Sequence, residues 1–315
     1  MLAKFNINAD PWAFHAHPEV WLLVVSIIAA YVYAIRVIGP SAVPVGTPVV
    51  TRRQLCYFVG TIILLEGASD WPIHDIGETY LYSVHMVQHM ILAYFLPPLA
   101  LLAMPEWLMR LIVGNGKTYR VVRFMTKPVV AGVLFNMTVM VTHIPGVVNA
   151  SGTNAVLHYT LHFMLVTTSL LMWMPVVGPL QELRMRYTGK MVYLFCQSVI
   201  PTVPAGWLTF AEGVVYKHYN IPVRLWGLSP QYDQQIAGGI MKVGGTFYLW
   251  AIIIYIFFHK FGAGFDEDQS YRRKVPRPKA AIAPDATVVE PALTYEQVTE
   301  AFGRTPAAPE PERTT

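Results

Sequence analysis

Two pairs of histidines, each pair one helical turn apart, are the residues of this sequence best suited to chemistry. His85 and His89 lie in the run YSVHMVQHM, and His158 and His162 lie in LHYTLHF. Residues i and i+4 share one face of a helix, so each pair can present two imidazole rings together. His143, in THIPG, lies at the end of another apolar segment. Because ionisable side chains are costly inside a membrane, these histidines indicate a functional site.

Imidazoles that converge from several helices can fix the geometry of a metal ion. The two cysteines, Cys56 and Cys196, form no CxxC motif, so a thiolate site is not indicated. Imidazole binds several metals, whereas the thioether of methionine favours Cu(I). We therefore predict a Cu(I) site with the ligands His85, His89, His143, His158 and His162. Met86, Met90 and Met241 are predicted as supporting residues behind these ligands or as additional ligands, with core packing as the alternative.

Acidic residues near the same ends of the apolar segments are candidates for supporting roles. Asp70 precedes Trp71-Pro72, Glu78 lies in the loop before the first histidine pair, and Asp233 opens the last apolar segment. A metal-bound histidine usually donates its other ring N–H to a carboxylate or a carbonyl. We predict Asp70 and Asp233 as such partners or as direct ligands, with helix capping as the alternative.

The composition predicts an all-α membrane protein that positions these residues. Of the 315 residues, 54% are hydrophobic and 13% are charged, about half the charged share of a soluble domain. Seven segments have the length to cross about 30 Å of hydrocarbon. They are Glu19–Ile38, Leu55–Ile73, Tyr82–Met104, Pro128–Gly146, Ala155–Val177, Met191–Ala211 and Gln235–Lys260.

Basic residues in the loops predict the orientation of this seven-helix bundle. The alternate loops that contain Arg52, Arg120 and Arg184 are rich in Lys and Arg, whereas the opposite loops contain few basic residues. The positive-inside rule then places the N-terminus outside and the C-terminus in the cytoplasm. Nine of the ten histidines fall at the outer side, and His259 falls at the inner side. We predict an outer N-terminal segment (residues 1–18), a transmembrane domain (19–262) and a disordered cytoplasmic tail (263–315).

Several of these segments together resemble a known family. The run GETYLYSVHMVQHMILAYFLPPLALLAMP, the HIP motif, the HxxxH motif of the fifth segment and DQQIAGGIMK are similar, in order, to the CtaG-like seven-helix cytochrome c oxidase assembly factors found beside caa-type oxidases. The resemblance covers roughly residues 18–259. It implies a role in the maturation of haem–copper oxidases, with suggested copper handling, and it points to the same five histidines, with Asp233 and Met241 behind them.

The expected function is therefore a copper chaperone for oxidase assembly rather than an enzyme. The expected location is the bacterial plasma (inner) membrane, as a multi-pass protein, and the expected partners are oxidase subunits and a periplasmic copper donor. Nucleic acid is not expected, because the basic residues follow the loops on one side of the membrane. No nucleotide-binding loop or nucleophile motif is present in the sequence.

Other interpretations remain open at this point. The histidines can be interfacial residues that hydrogen-bond to water or carbonyls. They can also bind haem in an electron-transfer protein, serve a metal or proton transporter, or only fold a scaffold that holds oxidase subunits together.

Overall fold

The computed structural model describes residue 10 and residues 12–274, with side chains up to residue 260. The described part is helical and contains no strand. Its helices are α1 (Pro18–Ala42), α2 (Arg52–Ser69), α3 (Ile73–Thr79), α4 (Tyr82–Ala103), α5 (Glu106–Val113), α6 (Lys117–Met125), α7 (Pro128–Thr142), α8 (Pro145–Ser151), α9 (Ala155–Val177), α10 (Tyr187–Thr209) and α11 (Pro230–Lys260). Short 3₁₀ turns cover Gln181–Leu183, Lys217–Tyr219 and Leu225–Gly227.

Five of the described helices, α1, α4, α9, α10 and α11, are long and apolar enough to cross a membrane. Helices α6 and α7 form a sixth apolar unit, but they are bent by 71° at the break between them. The chain is thus a helical membrane protein with five or six candidate spans in its described part. The predicted count of seven and the predicted orientation are not confirmed.

Helices α2 and α7 account for the difference between seven predicted spans and this count. Helix α2 has 18 residues, but it carries three charged residues, Arg52, Arg53 and Glu66. Helix α7 has 15 residues, which rise only about 22 Å, short of the hydrocarbon thickness. The charged residues of α2 and the short length of α7 therefore make these two helices weaker candidates for membrane spans.

The predicted domain boundaries stay predictions. Residues 1–9 and 11 of the predicted outer segment lie outside the described residues. Helix Gly245–Lys274 includes the last part of α11 and runs on past Lys260. The tail from residue 275 also lies outside the described residues.

Helix α4 lies at the centre of the bundle. Buried residues make up 67% of its most apolar stretch, against 22% for α1, and it packs against α2, α3, α9 and α11. The main core includes large buried side chains from five helices, among them Tyr94, Phe135, Trp173, Leu194 and Leu249. The helix that carries His85 and His89 is thus held on several sides.

Proline shapes α4, and a side chain of α9 satisfies one of the carbonyls that proline leaves without a donor. Pro97 has no N–H to donate to the carbonyl of Ala93, and the turn Ile91–Phe95 is π-helical. The indole Nε1 of Trp173 donates to that carbonyl at 3.2 Å instead. The bond joins α4 to α9 in the main core, so the two helices that carry the histidine pairs are tied together below them.

Candidate metal centre

The start of α4 is fixed by a buried carboxylate from α11. The backbone N–H groups of Tyr82 and Ser83 donate to Asp233 Oδ2 at 2.7 Å and Oδ1 at 3.0 Å. Asp233 is fully buried, so both of its oxygens serve to cap the free amides of the first turn of α4. This cap sets the position of the turn that carries His85.

The two histidine pairs meet across α4 and α9. Ring centroids are 4.3 Å apart for His85 and His89, and 4.2 Å apart for His158 and His162. His89 Nε2 lies 3.2 Å from His162 Nε2, which joins the pairs. Two sets of residues bring ligand atoms within 4.8 Å of one another, and both include His162. They are His85/His89/His162 and Glu78/His158/His162.

A carboxylate from α3 completes this cluster. Glu78 Oε1 lies 2.7 Å from His158 Nε2 and 3.5 Å from His85 Nδ1. A close approach of α3 to α4 makes this possible, because a Cβ on Gly77 would lie only 3.0 Å from the backbone N of His85. The imidazole of His218 donates through Nε2 to the carbonyl of Glu78 at 3.1 Å and holds the segment in place. We call Glu78, His85, His89, His158 and His162 the histidine cluster.

The environment keeps Glu78 charged. Burial alone would raise the pKa of its carboxyl, but contacts with His158 and His85 hold that pKa well below the usual range. The carboxylate is therefore available as an anionic ligand.

Several ligand atoms of the cluster are buried and have no hydrogen-bond partner. They include Glu78 Oε1, His85 Nδ1 and His158 Nε2. Glu78 Oε1 and His158 Nε2 lie only 2.7 Å apart, but their contact lacks the alignment of a hydrogen bond. Buried polar atoms are normally satisfied, so orphaned ligand atoms that face one another fit a bound cation. They line a cavity of about 20 Å³. That volume holds one ion or one water molecule, whereas a porphyrin would require the surrounding side chains to move.

The comparison with known families decides what kind of protein carries this cluster. The model of the cytochrome c oxidase caa3 assembly factor family (Caa3_CtaG) matches residues 29–262, well over half of the chain and all of the histidine cluster. This chain belongs to that family. No curated protein and no solved structure matches it. The family indicates a role in the assembly of cytochrome c oxidase and suggests a non-catalytic one.

In this assembly factor, His143 lies beside the cluster rather than in either triad. It follows α7, and its Nδ1 donates to the carbonyl of Val139 at 2.7 Å. That bond leaves Nε2 as the ligand atom, and Nε2 is buried without a partner. The ring of His143 lies 6.4 Å from that of His89. The structure thus groups four of the five predicted histidine ligands closely and places the fifth next to them.

The predicted methionine ligands lie in apolar cores. Met86 and Met241 pack in a cluster with Tyr82 and Tyr216, and Met90 packs in the main core. Among the residues described, those that line the cavity of the histidine cluster include no methionine. The donors that the structure brings together are therefore imidazole nitrogens and a carboxylate oxygen.

The predicted acidic partners also lie away from the cavity. Asp70 accepts hydrogen bonds from Trp21 Nε1 at 2.7 Å and from its neighbour Trp71 N at 2.8 Å. Asp233 caps α4, as described above. The carboxylate that reaches the imidazoles is Glu78 of α3, which the sequence does not single out as a ligand. Only the packing of α3 on α4 distinguishes it from Asp70.

Proposed function

We propose that this assembly factor binds a Cu(I) ion at the histidine cluster and delivers it to a subunit of a haem–copper oxidase. The observation that carries the proposal is the set of buried ligand atoms of Glu78, His85 and His158 that face a cavity the size of one ion. Membership of an oxidase assembly family supports the destination.

Charge balance favours a monovalent ion. Imidazole can bind copper, zinc, iron or nickel, so the donor type alone does not select Cu(I). The cluster, however, has one carboxylate among neutral imidazoles, and a buried charge is costly unless it is neutralised. One Cu(I) with Glu78 gives zero net charge, whereas a divalent ion leaves an excess of one positive charge.

The shared ligand His162 suggests how the ion moves. The triads Glu78/His158/His162 and His85/His89/His162 offer adjacent positions, so the ion can pass between them by exchanging two ligands while it keeps the third. Neutral imidazoles hold the ion without the charge of a thiolate, which favours release. His143, beside His89, offers the next imidazole.

The proposed setting is the outer leaflet of the bacterial plasma membrane. The copper centres of haem–copper oxidases are associated with the outer half of the membrane. A chaperone with its ion at the same depth needs only to dock laterally against the oxidase subunit. A periplasmic copper donor would load the cluster from the outer side.

Metal content and affinity of the purified full chain test the proposal. We expect about one tightly bound Cu(I) per chain, and we expect the double substitution His85→Ala/His89→Ala to abolish tight binding. The matched control is His259→Ala, because His259 is exposed and contacts Tyr255 away from the cluster. Zinc in place of copper, or unchanged binding in the double variant, would refute the copper site.

The alternatives give different results in the same preparations. A haem protein would show a strong Soret band after expression with added haem. A scaffold would support fully metallated oxidase even when both histidine pairs are replaced and the variant is stable in the membrane. A transporter would carry the metal across vesicle membranes, whereas the proposed chaperone would not.

A further inference from the structure

A second cavity lies between the loop that joins α9 to α10 and the last residue of α11. Its volume is about 850 Å³, and four cationic residues line it, namely Arg184, Arg186, Lys190 and Lys260. The remaining residues of its lining are uncharged. We call this space, with its four cationic residues, the basic cavity.

The backbone of the loop directs two arginines away from the core. Arg184 and Arg186 are in extended conformation, so successive side chains there alternate in direction. Leu183 and Met185 pack against the main core, and the N–H of Met185 donates to the carbonyl of Pro175 at 2.8 Å. The two arginines therefore lie on the opposite side of the loop, where the basic cavity is.

Two lysines from helices complete the basic cavity. Lys190 lies one helical turn after Arg186, at the start of α10, so both face the same side. Lys260 Nζ donates to Thr188 Oγ1 at 3.4 Å, which brings the last residue of α11 to the start of α10. The four positive charges thus come from three parts of the chain.

No carboxylate balances this charge among the residues whose side chains the structure describes. Within that part of the chain, the ion pairs of lysine and arginine are those of Arg110 with Glu106 and Glu182. Glu182, which immediately precedes the loop arginines in this region, is therefore already paired elsewhere and does not line the basic cavity. Like charges held together repel one another, so the basic cavity favours an anionic occupant.

The position of the basic cavity relative to the membrane selects the kind of anion. The membrane spans α10 and α11 begin and end there, α10 at Tyr187 and α11 at Lys260. The ends of apolar spans lie at the level of lipid head groups, and basic pockets between membrane helices bind anionic ones. Val192 and Phe257, one or two turns away along the same helices, are exposed and offer apolar surface to acyl chains. A free phosphate would use the cations but not this apolar surface.

We propose that the basic cavity binds the head group of an anionic phospholipid, with its phosphate held by Arg186 and Lys190. The bound lipid neutralises the gathered cations and fastens the start of α10 to the end of α11. Arg184 and Lys260 flank the phosphate from the loop and from α11. The inference stands apart from the proposed function, because it requires no metal at the histidine cluster.

Native mass spectrometry of the full chain in a neutral detergent tests the lipid site. We expect phosphatidylglycerol to bind at least about tenfold more tightly than phosphatidylcholine, and the variant Arg186→Gln/Lys190→Gln to lose about 10- to 30-fold in affinity for phosphatidylglycerol. The charge-preserving variant Arg186→Lys/Lys190→Arg should retain most of that affinity. The matched control is Arg120→Gln/Arg123→Gln, because both of these arginines are exposed on α6 and neither lines the basic cavity.

The same measurements separate a lipid site from its rivals. Equal binding of the two lipids would overturn the proposal and leave the cations to an acidic protein segment. Equal losses in the cavity variant and in the control would also overturn it, because any basic surface would then suffice. Displacement of phosphatidylglycerol by excess inorganic phosphate would assign the basic cavity to free phosphate instead. If the cavity variant does not fold, Lys260→Gln, at an exposed position, decides by a loss of about fivefold.

Discussion

At the scale of single residues, Glu78 distinguishes a metal site from a group of stacked histidines. Neutral imidazoles can pack against one another without a ligand, as aromatic rings do. A buried carboxylate among them needs either a proton or a cation. Contacts with His158 and His85 hold the pKa of Glu78 low, so the carboxylate stays charged. A metal ion bound together with those imidazoles would balance that charge.

Replacing Glu78 by glutamine should weaken Cu(I) binding. The amide keeps the shape of the side chain but removes the charge that balances the ion, so we expect a loss of affinity of about 10- to 100-fold. Competition with a chromophoric Cu(I) chelator measures it. Glu212→Gln is the matched control, because Glu212 is exposed and does not line the cavity. Equal affinity in the two variants would contradict a role of Glu78 as a ligand.

At the scale of helices, local spacing predicted the histidine pairs but not their partners. The i, i+4 rule correctly places His85 beside His89 and His158 beside His162, because both residues of each pair lie on one helix. Glu78 reaches them only through the packing of α3 on α4 at Gly77, which no local rule encodes.

The methionine ligands stay a prediction, and helix geometry explains why Met86 and Met90 do not line the cavity. Met86 and Met90 each follow a histidine by one residue, and successive helix residues are rotated by about 100°. The histidine face and the methionine face of α4 therefore point to different neighbours, a cavity and two apolar cores. Asp233 is likewise predicted as a metal partner, with helix capping as the alternative, and in the structure it caps α4.

The cap on α4 should contribute measurably to stability. Asp233→Ala leaves two buried N–H groups, those of Tyr82 and Ser83, without acceptors, so we expect a loss of about 2 kcal/mol or more. Thermal unfolding of the detergent-solubilised protein measures the change. Asp70→Ala is the comparison, because it removes a partially exposed carboxylate that accepts from Trp21 and Trp71. A larger loss for Asp70→Ala than for Asp233→Ala would argue against the cap.

At the scale of the whole molecule, the bundle has two chemically different ends. The histidine cluster lies where α3, α4 and α9 begin or end near the loops that contain Gly152 and Tyr219. Basic residues follow the other ends of α4 and α9, as with Arg110 in α5, which pairs with Glu106 and Glu182. The membrane character and the helical fold followed from composition. The number of spans is not confirmed, because α2 is marginal in charge and α7 in length.

The orientation of this bundle decides whether the histidine cluster can serve the outer half of an oxidase. The test starts from a chain in which both native cysteines are replaced, Cys56→Ser/Cys196→Ser. In that background, Thr153→Cys marks the histidine end of the bundle and Asn115→Cys marks the basic end. Both positions are exposed between helices. Because lysine and arginine are retained on the cytoplasmic side, we expect a membrane-impermeant maleimide to label Thr153→Cys in intact cells. Asn115→Cys should react only after permeabilisation. The reverse pattern would put the cluster on the cytoplasmic side, where lateral delivery to an outer copper centre is impossible.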